Sequence, residues 1–454
     1  MIRRRHRAPT FRPSAEVLDG RCLLSGLTPA QITHAYGLDA LTFANGTVKA
    51  DGSGETIALI EAFHDPYLAS DLRTFDAAMN LPDPALSVVN LGTSQTNDSW
   101  ASETLLDVEW AHAIAPGAKI LVVEANSESV TDLMAAVNVA RSTPGVAAVS
   151  MSWGFAEFAD EIRYDSVFTT PVGHQGISFF TASGDSGAAG GAEWPSSSPN
   201  VVSVGGTTLR LGAANSIAAE SAWVSGGSGY SSFEPEPAYQ QAYQSTGARS
   251  TPDVTFDADP ETGAVVYFTA PSTGVGSWQI IGGTSLGTPA WAAIVTIADQ
   301  GLSIAGKFSL DGATQTLPTL YALSAGHWGD FNTVTPTPAT GGGVGGFHLF
   351  NPFGGLRAAT SANAPPIATT GLGSPNGLKI VTDLAATPLA TALANIIPST
   401  SDPIAAFTAP APTVKTKKHH APAKKKPKVA AHKKAVTHAV FDEALGELGS
   451  VGLH

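Results

Sequence analysis

Cysteine is all but missing from this chain: Cys22 is the only one among 454 residues. A disulfide framework and a thiolate metal site are therefore both excluded, and the folded body offers no thiol chemistry. Charged side chains are few, at 14% of residues, and unevenly placed. Six arginines fall in residues 1–21 and nine lysines in residues 413–434. Residues 27–384 carry 32 acidic against ten basic side chains, a net charge of −22 that the whole-chain value of −13 hides. An acidic body loses net charge as its carboxylates protonate, so it is expected to tolerate acid better than a basic one. No stretch is long and apolar enough to span a membrane. The opening, MIRRRHRAPTFRPSAEVLDGRCLLSG, also lacks the apolar stretch of a secretory signal, leaving an atypical export segment or a disordered leader over residues 1–26.

What is present is a core. The hydrophobic fraction is 43%, enough over this length for one large domain, taken as residues 27–384. Strand-like runs at 56–61, 119–124, 146–151 and 177–180 alternate with helical stretches at 67–79, 102–114 and 130–141. This alternation predicts an α/β fold: a doubly wound, mostly parallel sheet flanked by helices, with right-handed crossovers. Loops at the strands' carboxyl ends can then bring distant motifs together. The Gly/Pro/Ser-rich regions 216–243 and 337–375 have no clear period and read as long surface loops. After residue 384 comes an Ala/Pro/Thr linker, 385–412, and then a Lys/Ala/Pro-rich tail, 413–437, which cannot bury a core and is expected to be disordered. The tail reads either as a tether to an anionic surface, nucleic acid or cell wall, or as solvated chain. In residues 438–454, Phe441, Leu445 and Leu448 form one face of a terminal helix too short to stand alone.

Residues 282–290 read GGTSLGTPA, which places Ser285 where a tight glycine turn meets a helix. Pro289 suits a first helical turn, and the apolar residues 290–295 continue it as a buried helix. The Ser285 hydroxyl then sits at the positive end of a helix dipole. A nucleophile needs a base. In ASETLLDVEWAHAIAPG, a helix capped by Ser102 and ended by residues 115–117, Glu103, Asp107, Trp110 and Ile114 fall within roughly 60° of one another. Two like charges four apart destabilise an exposed helix, so the pair is read as coupled carboxyls facing a cleft, the alternative being an acidic surface helix. Glu109 points elsewhere on the wheel and is taken as a surface acid. A third acid, Asp185, lies in the turn of FFTASGDSGAAGG after a buried strand.

The chain resembles the sedolisins, the serine-carboxyl peptidases of subtilisin-like fold. The motifs that carry the resemblance are ETLLDVEWAHAIAPGAKI, VSMSWG, TASGDSGA, EWPSSSPNVVSVGGT, GGSGYSSFEPEPAYQ, RSTPDVTFDADPETGAVVY, GGTSLGTPAWAA and TTGLGSP, in that order over residues 27–384. The resemblance implies a protease of the serine endopeptidase kind acting on protein or peptide substrates. It implies Ser285 as nucleophile, Glu103 as general base, Asp107 as the partner that orients Glu103 and shares its proton, and Asp185 as the oxyanion-hole acid. Ser152, Trp153 and Gly154 would line the substrate groove, with Trp153 as a core tryptophan the alternative. An ionised base and a protonated oxyanion donor coexist only in acid, which places the optimum at roughly pH 3 to 5. Tripeptidyl cleavage, or a catalytically idle binding module, are the alternatives. A histidine base is a further one. His64 with Asp65 follows the strand TIALIEAF, and His112 lies about 180° from Glu103, packed or locally bonded, but no His-Gly-Thr helix start is present.

The resemblance also implies one calcium ion, held by two aspartates and backbone carbonyls, which suits a cation that takes oxygen ligands. Asp330 and Phe331 match the first part. The second aspartate is replaced at Ile367, and no Asp or Glu lies between Asp330 and Asp383. Calcium is then bound weakly, with Asn363 or carbonyls substituting, or absent. A long folded propeptide has no room before residue 27, so control of activity is expected to differ. An extracellular or periplasmic monomer is expected.

Overall fold

Alternate residues of one strand part to opposite faces of the central sheet, and this sorts the whole domain into layers. The computed structural model describes residues 26–326, 329–336 and 367–386. Its sheet holds β1 (Thr56–Ala62), β2 (Leu86–Asn90), β3 (Lys119–Ala125), β4 (Val146–Met151), β5 (Ser178–Ala182), β6 (Val202–Leu211), β7 (Ile217–Ala222) and β8 (Val254–Asp257). The spatial order is β7-β6-β5-β4-β1-β3-β2, with β8 also paired to β6. All pairs are parallel except β6 with β7. The expected doubly wound, mostly parallel sheet of subtilisin-like type is therefore what forms.

The helices are α1 (Pro29–Ala35), α2 (Leu68–Met79), α3 (Asp98–Ile114), α4 (Val130–Ser142), α5 (Thr284–Ile304) and α6 (Gly377–Ala386). Ile57 and Leu59 of β1 point into a core shared with α2, α3 and α5. Ala58, Ile60 and Ala62 point the other way, into a core shared with α4. The period of two in the strand decides which helix each side chain meets. A hairpin, Ala264–Ala270 against Val275–Ile281, covers the outer side of α3, where Trp110 donates its indole N–H to the Val265 carbonyl at 3.1 Å.

Helix α3 begins before the expected Ser102. The Asn97 side chain accepts from the N–H groups of Ser99 and Trp100, so the first turn is Asp98–Ala101 and Ser102 lies inside. Every residue from Trp100 to Ile114 is buried, which excludes the acidic surface helix and overturns the reading of Glu109 as a surface acid. Glu109 is wholly enclosed, and its carboxylate accepts the Tyr267 N–H at 3.1 Å from the covering hairpin.

Region 216–243, expected as loop, contains β7 and a further strand, Gly229–Pro235, paired with Ala248–Thr251. Small and polar residues hid both strands from a periodicity reading, although each pairs with a strand close by in sequence. Helix α6 runs two residues into the expected linker. The leader, the rest of the linker, the Lys-rich tail, the terminal helix, Asn363 and the Ile367 side chain lie outside the described residues. Among those described, no helix is long and apolar enough to cross a membrane.

Candidate active site

Helix α5 starts at Thr284, after Gly283 has taken φ to +115°. A glycine cap has no side chain to offer the first N–H groups, and Asp185 performs that task from the loop after β5. Its Oδ1 accepts from both the N–H and the hydroxyl of Thr284, each at 2.9 Å. A Cβ on Gly283 would stand 2.8 Å from Asp185 Oδ2, so only glycine allows this docking. Ser285 is the second helical residue and is buried, at the dipole's positive end as expected.

Pro289 is not in the first turn. It lies five residues after the helix start, inside a helix that continues to Ile304. A proline there has no N–H for the carbonyl four residues earlier, which belongs to Ser285. That carbonyl faces the Ser152 hydroxyl at 3.4 Å instead.

Glu103 of α3 and Ser285 of α5 are neighbours. Burial pushes the Glu103 carboxyl well above the usual carboxylate range, the Ser285 hydroxyl beside it pulls it partly back, and the charges of Glu61 and Asp185 raise it further. Asp107 is raised by burial first, then by Glu61 and Glu103. The hydrogen bond at Asp107 comes from Ser152 and not, as expected, from Glu103, and Glu61 of β1 is the acid beside it. One turn of helix separates Glu103 from Asp107, and their coupling is through space. Glu61 Oε1 and Asp107 Oδ2 are both buried without a donor, a pairing that a proton held between them resolves.

Glu61 was not singled out from the sequence. Its signal was there: it shares the parity of Ile57 and Leu59, the face that meets α3 and α5. The same rule applies to Ser152, two residues beyond Ser150 on the face of Ala148. Ser152 is buried, and its hydroxyl donates to Asp107 Oδ1 at 2.9 Å, so its side chain faces the acids rather than the expected groove. Trp153 is buried too. Its indole N–H donates to the Ile60 carbonyl at 3.1 Å and its ring packs against Phe155 and Trp194, which makes it the core tryptophan of the alternative reading. Gly154 is half-buried, and a Cβ there would stand 3.0 Å from Glu193 Oε2. Glu193, also unforeseen, lies between Gly154 and Gly184, and burial and the neighbouring Asp185 raise its carboxyl to about 7.

Neither histidine reaches this centre. His64 Nδ1 bonds the buried Glu124 at 2.9 Å, and Glu124 also takes the Asn90 amide and the Asp65 N–H. His112 is enclosed and bonds the Pro82 carbonyl at 2.6 Å, a partner 30 residues away rather than a local one. Asp330 is buried, Phe331 pairs with Pro375, and the Lys379 ammonium stands 3.8 Å from Asp330 Oδ1.

A mostly parallel α/β sheet whose central helix opens on a serine, with carboxyls and, among the described residues, no bonded imidazole beside it, has the class of a subtilisin-like fold. The sequence profile of the subtilase family matches residues 92–307. Sedolisin of Pseudomonas sp. (strain 101) is 27% identical over 346 residues, 64% of this chain and 58% of its own. Kumamolisin of Bacillus sp. (strain MN-32) is 32% identical over 329 residues, 65% of this chain and 55% of its own. Tripeptidyl-peptidase 1 of Homo sapiens is 25% identical over 324 residues, 65% of this chain and 56% of its own. The chain thus spans little more than half the length of these curated relatives. The solved Pseudomonas sedolisin, complexed with two molecules of pseudo-iodotyrostatin, aligns with a TM-score of 0.63 at 24% identity, covering 79% of this chain and 97% of that one, a likeness of fold. In sequence and in fold the chain is similar to the sedolisins.

Proposed function

We propose that this chain is a serine-carboxyl endopeptidase that hydrolyses peptide bonds of protein substrates in acid. The observation that supports it best is that Ser285 opens its helix beside a buried group of acids, Glu103 among them, while His64 and His112 are bonded elsewhere. In this reading Ser285 Oγ attacks the scissile carbonyl carbon while its proton passes to Glu103. The carbonyl oxygen becomes an oxyanion and takes a hydrogen bond from the protonated carboxyl of Asp185. Glu103 returns the proton to the leaving amine, an acyl ester remains on Ser285, and water releases it by the same route. Asp107 and Glu61, sharing a proton, keep Glu103 in place and limit the group's total charge. Backbone of residues 152–154, beside Glu193, lines the peptide groove; the Ser152 and Trp153 side chains do not.

The activity calls for an ionised Glu103 and a protonated Asp185, and the family likeness places the maximum at roughly pH 3 to 5; because burial raises the Glu103 carboxyl well above its usual range, only the fraction of molecules in which it is ionised reacts there. The test is hydrolysis of denatured protein at pH 4 by the purified chain beside Ser285→Ala and Glu103→Gln. Both variants should lose nearly all activity; a Glu103→Gln variant that keeps it would require a histidine base. The relationship to tripeptidyl-peptidase 1 supports a second reading, release of tripeptides from free N-termini. Peptides with blocked N-termini separate the two, since only an endopeptidase cleaves them. Action outside the cytoplasm, extracellular or periplasmic, as a monomer, is part of the proposal, and so is attachment of the Lys-rich tail to an anionic surface or nucleic acid.

A further inference from the structure

The sedolisin likeness carries an expectation of calcium at Asp330 and the Phe331 carbonyl, and the residues around Asp330 do not fit it. Asp330 is wholly buried and lies beside a two-stranded ribbon, Phe331–Asn332 against Ser374–Pro375. The Asp330 carbonyl accepts the Asn376 N–H at 2.9 Å, so the ribbon runs without slack into α6. The third residue of that helix is Lys379. Its ammonium stands 3.8 Å from Asp330 Oδ1 and 3.3 Å from Asp383 Oδ2. Its Cε and Cδ lie 3.5 and 3.6 Å from where a Cβ on Gly329 would be, so the stem crosses the backbone that leads to Asp330.

A calcium ion takes about six to eight oxygens at roughly 2.3–2.6 Å, with carboxylates supplying most of the charge. An ammonium reaching the same carboxylate repels such an ion. The sequence adds no second acid: between Asp330 and Asp383 there is none, and the expected position holds Ile367. Among the described residues no group of three or more His, Cys, Asp or Glu is disposed to hold a metal. A buried carboxylate still needs a positive partner, because its uncompensated burial is expensive. Residues 27–384 contain four lysines, Lys49, Lys119, Lys307 and Lys379, and one of them is spent here.

We propose that Lys379 takes the place of the divalent ion, bracing Asp330 and Asp383 with a charge carried by the chain itself, and that the fold needs no calcium. The cation is then permanent. Chelators cannot remove it, and the tie between the ribbon and α6 persists where calcium is scarce.

Thermal unfolding of the full chain, followed by circular dichroism in millimolar CaCl2 and in EDTA, tests this without any activity readout, so it stands apart from the proposed peptidase function. The wild-type midpoint is expected to be the same in both to within about 1 °C, and calorimetric titration with CaCl2 should show no binding. Lys379→Met should unfold at least about 2 to 4 °C lower, whereas Lys379→Arg, which keeps the charge, should stay near wild type. In the Lys379→Met/Asp330→Asn double variant, part of the loss should return. A wild-type midpoint that rises with calcium, or stoichiometric calcium binding, would overturn the proposal, as would an unchanged midpoint in Lys379→Met. If Lys379→Met does not fold, the wild-type titration and the Lys379→Arg midpoint decide.

Discussion

The Ser152 hydroxyl stands 2.9 Å from Asp107 Oδ1, and it is the contact that ties the loop after β4 to the acid pair of α3. The same oxygen lies 3.4 Å from the Ser285 carbonyl, which Pro289 leaves without its helical donor. One small side chain therefore touches both the acid helix and the backbone of the serine. Ser152→Ala removes both contacts and leaves a cavity no larger than a hydroxyl. Activity should fall by roughly 10- to 100-fold, mostly in kcat, because misplacement of reacting groups is costly while peptide binding is untouched. Stability should drop by about 1–3 kcal/mol through the unmet Asp107 oxygen. Steady-state kinetics that move only KM would contradict this assignment.

Asp185→Asn separates anchoring from proton donation. The amide oxygen can still accept both Thr284 donors, while its NH2 group donates at every pH. A loss of about 10²- to 10³-fold in kcat at pH 4 is expected, with a shallower decline towards neutrality than wild type. A rate profile of unchanged shape would remove Asp185 from the alkaline limb.

Glu61→Gln tests the unforeseen member of the acid group. The Glu61 charge raises both Glu103 and Asp107, so its removal lowers them. Glu103 would then ionise at lower pH, and the acid limb of kcat should move down the pH scale. An acid limb that moves up, or does not move, counts against charge sharing.

Stability should run opposite to that of most proteins on the alkaline side. Glu61, Glu103, Asp107, Glu109, Asp257 and Asp299 are all pushed up, chiefly by burial, and Asp65 and Glu193 reach about 7. A carboxyl whose folded pKa exceeds its unfolded value near 4 takes up protons on folding. Its contribution is complete below that value and is lost as pH rises through the folded one. The melting temperature is thus expected to fall from about pH 4 to beyond pH 7, and Glu109→Gln should raise it at pH 7 while leaving it nearly unchanged at pH 4. A protein more stable at pH 8 than at pH 4 would refute the direction.

Much of the site was legible before any coordinates. Ser285, Glu103 and Asp185 stand in local contexts that announce themselves: a glycine turn before a helix, a like-charged pair on a helix, a turn after an apolar strand. The Asp107 partner was misread because helical spacing reports which side chains share a stripe and not which strand lies beneath it. Glu61 lies in β1 and Ser152 just past the end of β4, about 90 residues apart in the chain, and only pairing of β1 with β4 brings them together under α3. Trp153 and Glu109 show the same limit, since burial of a residue depends on what covers it, here the aromatic cluster around Trp194 and the hairpin over α3.

The chain alone determined the alternation of strands and helices, and with it the α/β class, because a period of two or of 3.6 is a property of neighbours along the backbone. It also supplied the residue types of the candidate site. Tertiary structure decided which acid lies beside Asp107, which way Ser152 faces, and that an ammonium meets Asp330, because hydrogen bonds and charge pairs act across space at a few ångströms whatever the separation in sequence.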